Sequence, residues 1–318
     1  MMDPPAHRRM RSLVNKVFTP RAIERQRAAV VAQVERFLAA ADPSEFDVVQ
    51  DFSALFPVEV ITQMLGVPVE LRQQVRLLLD KQLAREYGKV EMPEAGIAAG
   101  IETGLMYYNL IQDRRADPQD DMISDLIAVE LERDGATTKL DDIEIAGFAS
   151  LLGGAGAETV TKLVGNAVVT FAEYPDQWQV LLDDRSRVPD AVEELLRWEA
   201  PAQYLVRYTL KDVELHGTTI PAGNPVLLCA GSANRDERAF TDADTFDINR
   251  DRSEAQNLGL GYGVHSCLGA ALARMESAIA LDKLLDFMPR YEVLHSGLRR
   301  VAMTNVAGWH NVPVRVLP

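Results

Sequence analysis

Leu260-Gly261-Tyr262-Gly263-Val264-His265-Ser266-Cys267-Leu268-Gly269 is the stretch that decides the reading of this 318-residue chain. Two spaced glycines precede a cysteine, and helical spacing starts directly behind it, with Leu268, Leu272, Met275 and Ile279 before the run closes near Pro289. A cysteine entering a helix N-terminus is placed to become a thiolate, because the dipole and unsatisfied backbone N–H groups favour negative charge there. Gly261 and Gly263 permit the tight backbone that presents the sulfur. Three other readings compete. A lone cysteine is usually a buried structural thiol. Zinc needs a second ligand cluster, which His265 with Cys267 does not supply. A dinucleotide loop needs a strand ahead of Gly259, and what precedes it is not one.

Upstream of this loop, Asn234 to Asn257 is polar and aperiodic, a long irregular segment of the kind that packs on something specific. Before it, Val206 to Leu215, a turn at Gly217, Ile220-Pro221-Ala222-Gly223 and Val226 to Leu228 predict short strands joined by hairpins. From Thr19 to about Trp198 helical periodicity dominates, broken by turns at Pro43, Pro57, Pro68, Pro93, Pro118 and Pro175. The longest helix is predicted from Asp141, where Glu144 three residues on resembles a capping box, to about Glu173 before Tyr174-Pro175. The tail after Pro289 alternates in strand-like pieces. The fold class expected is mainly α with small β-sheets.

The composition, 47% hydrophobic and 25% charged, is that of a globular chain with ample core material. With 33 basic and 47 acidic residues the net charge is −14, which opposes any general binding to nucleic acid or anionic membranes. Against that background Arg8, Arg9, Arg11, Lys16, Arg21, Arg25 and Arg27 make a local basic stretch, either a docking patch for an acidic partner or a solvated helix face. Two cysteines, Cys229 and Cys267, provide no disulfide framework and favour a reducing, cytoplasmic setting. Neither a secretory signal at Met1 nor an apolar run long enough to span a bilayer is legible, so no membrane anchor is expected.

Three further motifs join the cysteine loop. On the long helix, Ala155-Gly156-Ala157-Glu158-Thr159-Val160 sets an acid beside an alcohol in a glycine-weakened segment, where a hydroxyl bonding back to a carbonyl can open a local groove. Glu158 could equally be a surface charge. Glu194 and Arg197 fall one turn apart and can pair. His7 and Arg11 share a helix face at i,i+4 spacing.

In this order and at these spacings the motifs resemble those of the cytochrome P450 monooxygenases, across nearly the whole chain. The resemblance implies a haem-thiolate enzyme of the bacterial type: haem b (iron protoporphyrin IX) with Cys267 as axial iron ligand, whose electron density favours O–O cleavage. It implies that Ala155, Gly261 and Gly269 border the haem, that His7, Arg11, Arg207 and His265 meet its propionates, and that Glu158 and Thr159 bring protons to iron-bound oxygen. Glu194, Arg197 and Arg250 would form a buried network supporting the loop. Leu151 to Ala155, with Leu151 and Gly154, together with Gln203, Tyr204, Leu205 and Asn305-Val306-Ala307 would line the pocket of a lipophilic substrate. Dioxygen, a ferredoxin and a ferredoxin reductase would be the partners, and hydroxylation the reaction. Two departures stand out: Leu260 occupies the place where the family usually has Phe, and Val160 the place of a frequent second Thr. The Met2-Asp3-Pro4-Pro5-Ala6-His7 segment resembles a mid-chain helix start, so the expected architecture is a single P450 domain, residues 1–318, N-terminally truncated. A truncated chain could be a catalytically impaired haem-binding remnant, and a peroxide-driven oxygenase is the other alternative.

Overall fold

A computed structural model describes residues 3–15, 17–133 and 136–318. Lys16 of the basic stretch and Met2 lie outside the described residues. In chain order come α1 (Ala6–Asn15), α2 (Pro20–Glu24), α3 (Arg27–Ala40), β1 (Glu45–Asp47), a π-helical turn (Val48–Ser53), α4 (Phe56–Leu65), α5 (Val69–Leu83), α6 (Glu94–Ala116) and α7 (Met122–Ala128). A hairpin of β2 (Glu130–Arg133) and β3 (Ala136–Lys139) leads into α8 (Asp142–Glu173), α9 (Pro175–Asp183) and α10 (Val188–Trp198). Then follow β4 (Leu205–Tyr208), β5 (Val213–Leu215), β6 (Thr218–Ile220), β7 (Pro225–Leu228), α11 (Ala230–Ala233), α12 (Ala270–Phe287), β8 (Tyr291–Val293), β9 (Arg299–Arg300), β10 (Trp309–Asn311) and β11 (Pro313–Val316).

The expected mainly helical architecture with small sheets is the one observed, and α8 is its spine. The predicted capping box is formed: the Glu144 amide donates to Asp141 Oδ1 at 2.8 Å and the Asp141 amide to Glu144 Oε2 at 3.0 Å. At the other end Pro175, which cannot continue a helix, opens α9 instead. Thirty-two residues at 1.5 Å each make α8 about 48 Å long. Its unbroken buried run from Val160 to Phe171 is what an axial core helix requires, since apolar side chains on every face must all be covered. The π-helical turn, α4, α6 and α12 provide that cover. Where α4 crosses, Gly156 has Ile61 packed so close that an added Cβ would lie 2.8 Å from its Cγ1, so the glycine sets the approach of the two helices.

The antiparallel β4–β7 pair encloses the β5–β6 hairpin, with Leu205 opposite Leu228. A sheet ordered β1–β11–β8 joins the early and final parts of the chain, Phe46 facing Val314. β8 and β11 of this sheet fall in the tail read as strand-like, but β1 and the β2–β3 hairpin are not legible locally, because strands of three or four residues carry too little alternation and are fixed by their partners. Pro57, read above as a turn, sits in the first turn of α4, where its missing N–H would have been unpaired anyway. Asn234 to Asn257 holds no strand and no α-helix, as expected. Among the described residues no single helix is long and apolar enough to cross a membrane.

Candidate active site

Cys267 stands three residues ahead of α12, at the mouth of an open crevice. The loop before it is wound tight by its own backbone: the Gly261 amide donates to Leu258 O at 2.9 Å, the Ser266 amide to Gly263 O at 3.1 Å and the Cys267 amide to Leu260 O at 2.7 Å. Gly261 and Gly263 take φ of +70° and +67°, a region costly for any other residue. Gly259 lies so close over α10 that a Cβ there would overlap Leu196 O.

Desolvation by the crevice walls raises the pKa of the Cys267 thiol, opposed by the Gly269 amide and by Arg11 and Arg274, although the residue is exposed at the slit's mouth.

Two cavities, of about 190 Å³ and about 110 Å³, meet at Thr159, Val160, Cys267 and Ala273 and form one slit between α8 and the cysteine loop. Leu163, Leu196, Ala202 and Leu205 line the first; Ile61, Leu152, Ala155 and Leu272 line the second. On the α8 wall, Thr159 Oγ1 donates to Ala155 O at 3.0 Å, the back-bond anticipated from sequence. Glu158 is buried rather than the surface charge its spacing allowed. Lys162, one turn on, holds its Nζ 2.8 Å from Glu158 Oε1, close enough to pair but off the line of a hydrogen bond, so that oxygen is otherwise unpartnered. Burial raises the Glu158 pKa, opposed first by Lys162.

The slit's outer edge is basic. The His7 and His265 rings pack with centroids 4.2 Å apart and planes tilted by 43°, and Arg11 Nη1 donates to Val264 O at 3.2 Å, tying α1 to the loop. The Asp3 carboxylate sits on His265 Nε2 at 2.5 Å; that hydrogen bond, with Arg207 and His7 adding, holds Asp3 below the usual carboxylate range. His7 is pushed down by burial and then by His265 and Arg11.

Behind the loop the structure brings Glu194, Arg197 and Arg250 together. All five donors of the Arg197 guanidinium are used: Nε and Nη2 on Glu194 at 2.9 and 2.7 Å, Nη1 on the carbonyls of Asn234 and Ala243, and Nη2 also on that of Thr245. Arg250 Nε reaches Glu194 Oε1 at 3.3 Å and its Nη2 reaches Thr245 O at 2.7 Å.

The residues expected around a substrate are less united. Leu205 lines the slit, and Val306 is bridged to Ala202, which lines it too. Gln203 turns its Nε2 to Ala200 O, and Tyr204 is half-buried beside it. Leu151 is exposed and opens into a separate groove with Ala6, Met10 and Phe148, because its helix face turns towards α1. Gly154 faces Leu79 of α5.

Residues 105–293 match the family described as cytochrome P450. The putative cytochrome P450 123 of Mycobacterium tuberculosis is 42% identical over 316 residues, covering 99% of this chain and 77% of that protein. The chain belongs to the cytochrome P450 family. Cyclomarin C epoxidase CymV of Salinispora arenicola is 40% identical, over 92% of this chain and 73% of its own length. CYP109E1 of Bacillus megaterium in complex with testosterone superposes with a TM-score of 0.92 at 33% identity, covering 100% of this chain and 83% of that one.

The protein is therefore a cytochrome P450 monooxygenase, an oxidoreductase whose cofactor is haem b. The residues present fit that group. A soft thiol donor stands in an apolar slit, and the edge of that slit gathers His7, His265 and Arg11, the cationic and hydrogen-bonding groups that carboxylates need. Leu260, the departure from the family pattern, lines the slit beside Cys267. Sequence reasoning missed Lys162, Asn234 and Glu276. Asn234, fully buried, accepts the Leu258 amide on Oδ1 at 2.7 Å and so anchors the loop. Its only sequence signal was its place at the head of the irregular segment.

Proposed function

We propose that residues 1–318 act as one P450 domain that hydroxylates a lipophilic small molecule in the cytoplasm, with electrons from a ferredoxin and its reductase. The observation that carries this reading is the placement of the Cys267 thiol and the Thr159 hydroxyl on opposite walls of one apolar slit. Haem b, when bound, supplies the activation and cleavage of dioxygen. Cys267 would hold its iron as a thiolate, with Gly261 and Gly269 allowing close approach beside it and Ala155 bordering the group on α8. His7, Arg11, Arg207 and His265 would neutralise its two carboxylates, releasing Asp3 from His265.

Thr159, by bonding to Ala155 O, keeps its oxygen lone pairs turned to the slit, where they can accept a hydrogen bond from a water and so order it. Glu158, beside it in sequence and raised in pKa by burial, is an acid that can exchange a proton at the slit wall. Glu194, Arg197 and Arg250 hold the irregular segment against α10 and so keep the loop in register. Apolar walls at Leu163, Leu196 and Leu205 exclude water and favour a lipophilic substrate. That CYP109E1 was solved with testosterone and that CymV is named an epoxidase of cyclomarin C agree with such a class. Exposed Arg8 and Arg9 beside the basic edge fit an acidic ferredoxin.

A reduced, carbon-monoxide-treated sample of the haem-loaded protein tests the reading. Thiolate ligation gives a red-shifted Soret band that disappears in Cys267→Ser. A wild-type protein that loads haem without that band would overturn it.

A further inference from the structure

α6 turns an apolar face to solvent. Its inner residues Ala99, Thr103, Tyr107, Leu110 and Ile111 are buried, and the helix packs on α5 and α8. On the opposite side Ile97, Ile101, Leu105 and Tyr108 recur at intervals of four, four and three residues, which at 3.6 residues per turn sets them in one stripe about 16 Å long. They are 52%, 60%, 58% and 41% exposed. Exposed Ala98 and Asn109 flank the stripe, and from Ala95 to Gln112 the one charged side chain of the helix is Glu102, which Gln74 of α5 holds at 2.9 Å. On a chain that is 25% charged, an uncharged stripe of four large apolar side chains is the mark of a contact surface.

The stripe is complementary to itself in reverse. A two-fold axis level with Thr103 lays a second copy of α6 antiparallel on the first, so that Ile101 faces Leu105 of the second copy, Ile97 faces its Tyr108 and Ala98 its Asn109. Gly104, where an added Cβ would meet nothing within 4 Å, leaves a hollow beside Leu105 for the incoming Ile101. The ends match in charge: the acidic first turn of each helix, with Glu94, meets the basic last turn of the other, with Arg114 and Arg115, and the two helix dipoles run opposed. A lipid surface fits less well, because interfacial helices ring their apolar face with Lys and Arg, whereas here Glu94 and Glu102 border it and Arg115 is engaged by Asp142.

We propose that α6 is the contact face of a two-fold dimer of this chain, in which two copies pack Ile97, Ile101, Leu105 and Tyr108 antiparallel. A face one helix wide falls short of the roughly 800 Å² per partner of a standard interface, so the dimer is of the weak, reversible class. It stands apart from the catalytic reading, since none of these residues lines the slit.

Sedimentation velocity of the haem-loaded protein between about 1 μM and about 1 mM tests it. The mass should move from monomer towards dimer over that range. Ile101→Lys and Leu105→Glu each put a charge into the face and should raise the dissociation constant about tenfold or more, with the thermal midpoint unchanged because both side chains are exposed. Mixing the two variants should restore the dimer: the new lysine of one copy then faces the new glutamate of the other, while the second Ile101–Leu105 contact stays intact. A wild-type chain that remains monomeric throughout, a dimer that survives both substitutions, or variants that lose the dimer and do not regain it on mixing would each overturn the proposal. So would a monomer that floats with phosphatidylcholine vesicles, which assigns the face to lipid.

Discussion

Lys162 Nζ lies 2.8 Å from Glu158 Oε1 inside α8, with the two side chains only 3% and 9% exposed. At the surface such an i,i+4 pair would stabilise by under about 0.5 kcal/mol. Here each charge would be stranded without the other. Lys162→Met should therefore cost about 3–5 kcal/mol, or oblige Glu158 to bind a proton, while Glu158→Gln with Lys162→Met should recover most of the loss. Urea unfolding of the two single variants and the double variant measures the coupling; additive losses would show that the pair is not coupled.

Arg197→Lys should fail as badly as Arg197→Ala. Lysine offers three donors from one point, whereas the five used by Arg197 fan out to Glu194 and to three carbonyls between Asn234 and Thr245. Each variant leaves Glu194 buried and short of partners, a loss of about 3–5 kcal/mol. Haem occupancy after expression, read as the ratio of Soret to protein absorbance, should fall sharply in both. A lysine variant with full occupancy would show that charge, not the fork, supports the loop.

The parts legible in the sequence were those whose cause is local. The capping box at Asp141 and Glu144 and the stop at Tyr174-Pro175 delimit α8 to within a residue. The Gly261 and Gly263 turns follow from backbone sterics. Spacing allowed Glu194 and Arg197 to pair, and the family resemblance implied that they form a buried network with Arg250. What stayed hidden depends on residues far away. Lys162 at i+4 from Glu158 reads as an exposed pair until Gly308, from the distant tail, is found packed on its side chain. Glu276 reads as a polar face of α12 until the neighbouring helices cover it. β1 pairs with β11 some 270 residues on, a partner that three residues cannot specify. The helix behind Cys267 was legible locally, whereas the crevice walls that desolvate its thiol were not.

Reversing Arg8 and Arg9 to Glu should slow reduction by an acidic ferredoxin several-fold at low salt. Both side chains are exposed on α1, next to Arg11 and the loop it holds. Electrostatic steering acts over about one Debye length, so the deficit should shrink as ionic strength rises from about 0.01 M to about 0.15 M. Stopped-flow reduction followed at the Soret band measures it. Rates equal to wild type at low salt would move the docking face elsewhere.

Glu276→Gln should stabilise the protein at neutral and alkaline pH but not in acid. The unfolded carboxyl loses its proton near the ordinary value of 4.5, whereas burial holds the folded one protonated to a much higher pH. Across that interval the folded state binds more protons than the unfolded state, so stability falls as pH rises, by up to about 1.4 kcal/mol per pH unit. The contribution is fully present below the unfolded pKa and is lost as pH climbs through the folded one. Glutamine carries no proton to lose and removes this slope, while Glu158 and the other titrating groups act equally on both proteins and cancel. The difference in urea midpoint between variant and wild type should therefore widen from about pH 5 to about pH 7.5. A difference that stays constant over that range would mean that Glu276 is ionised within the fold, and that a cation or a route to solvent compensates it.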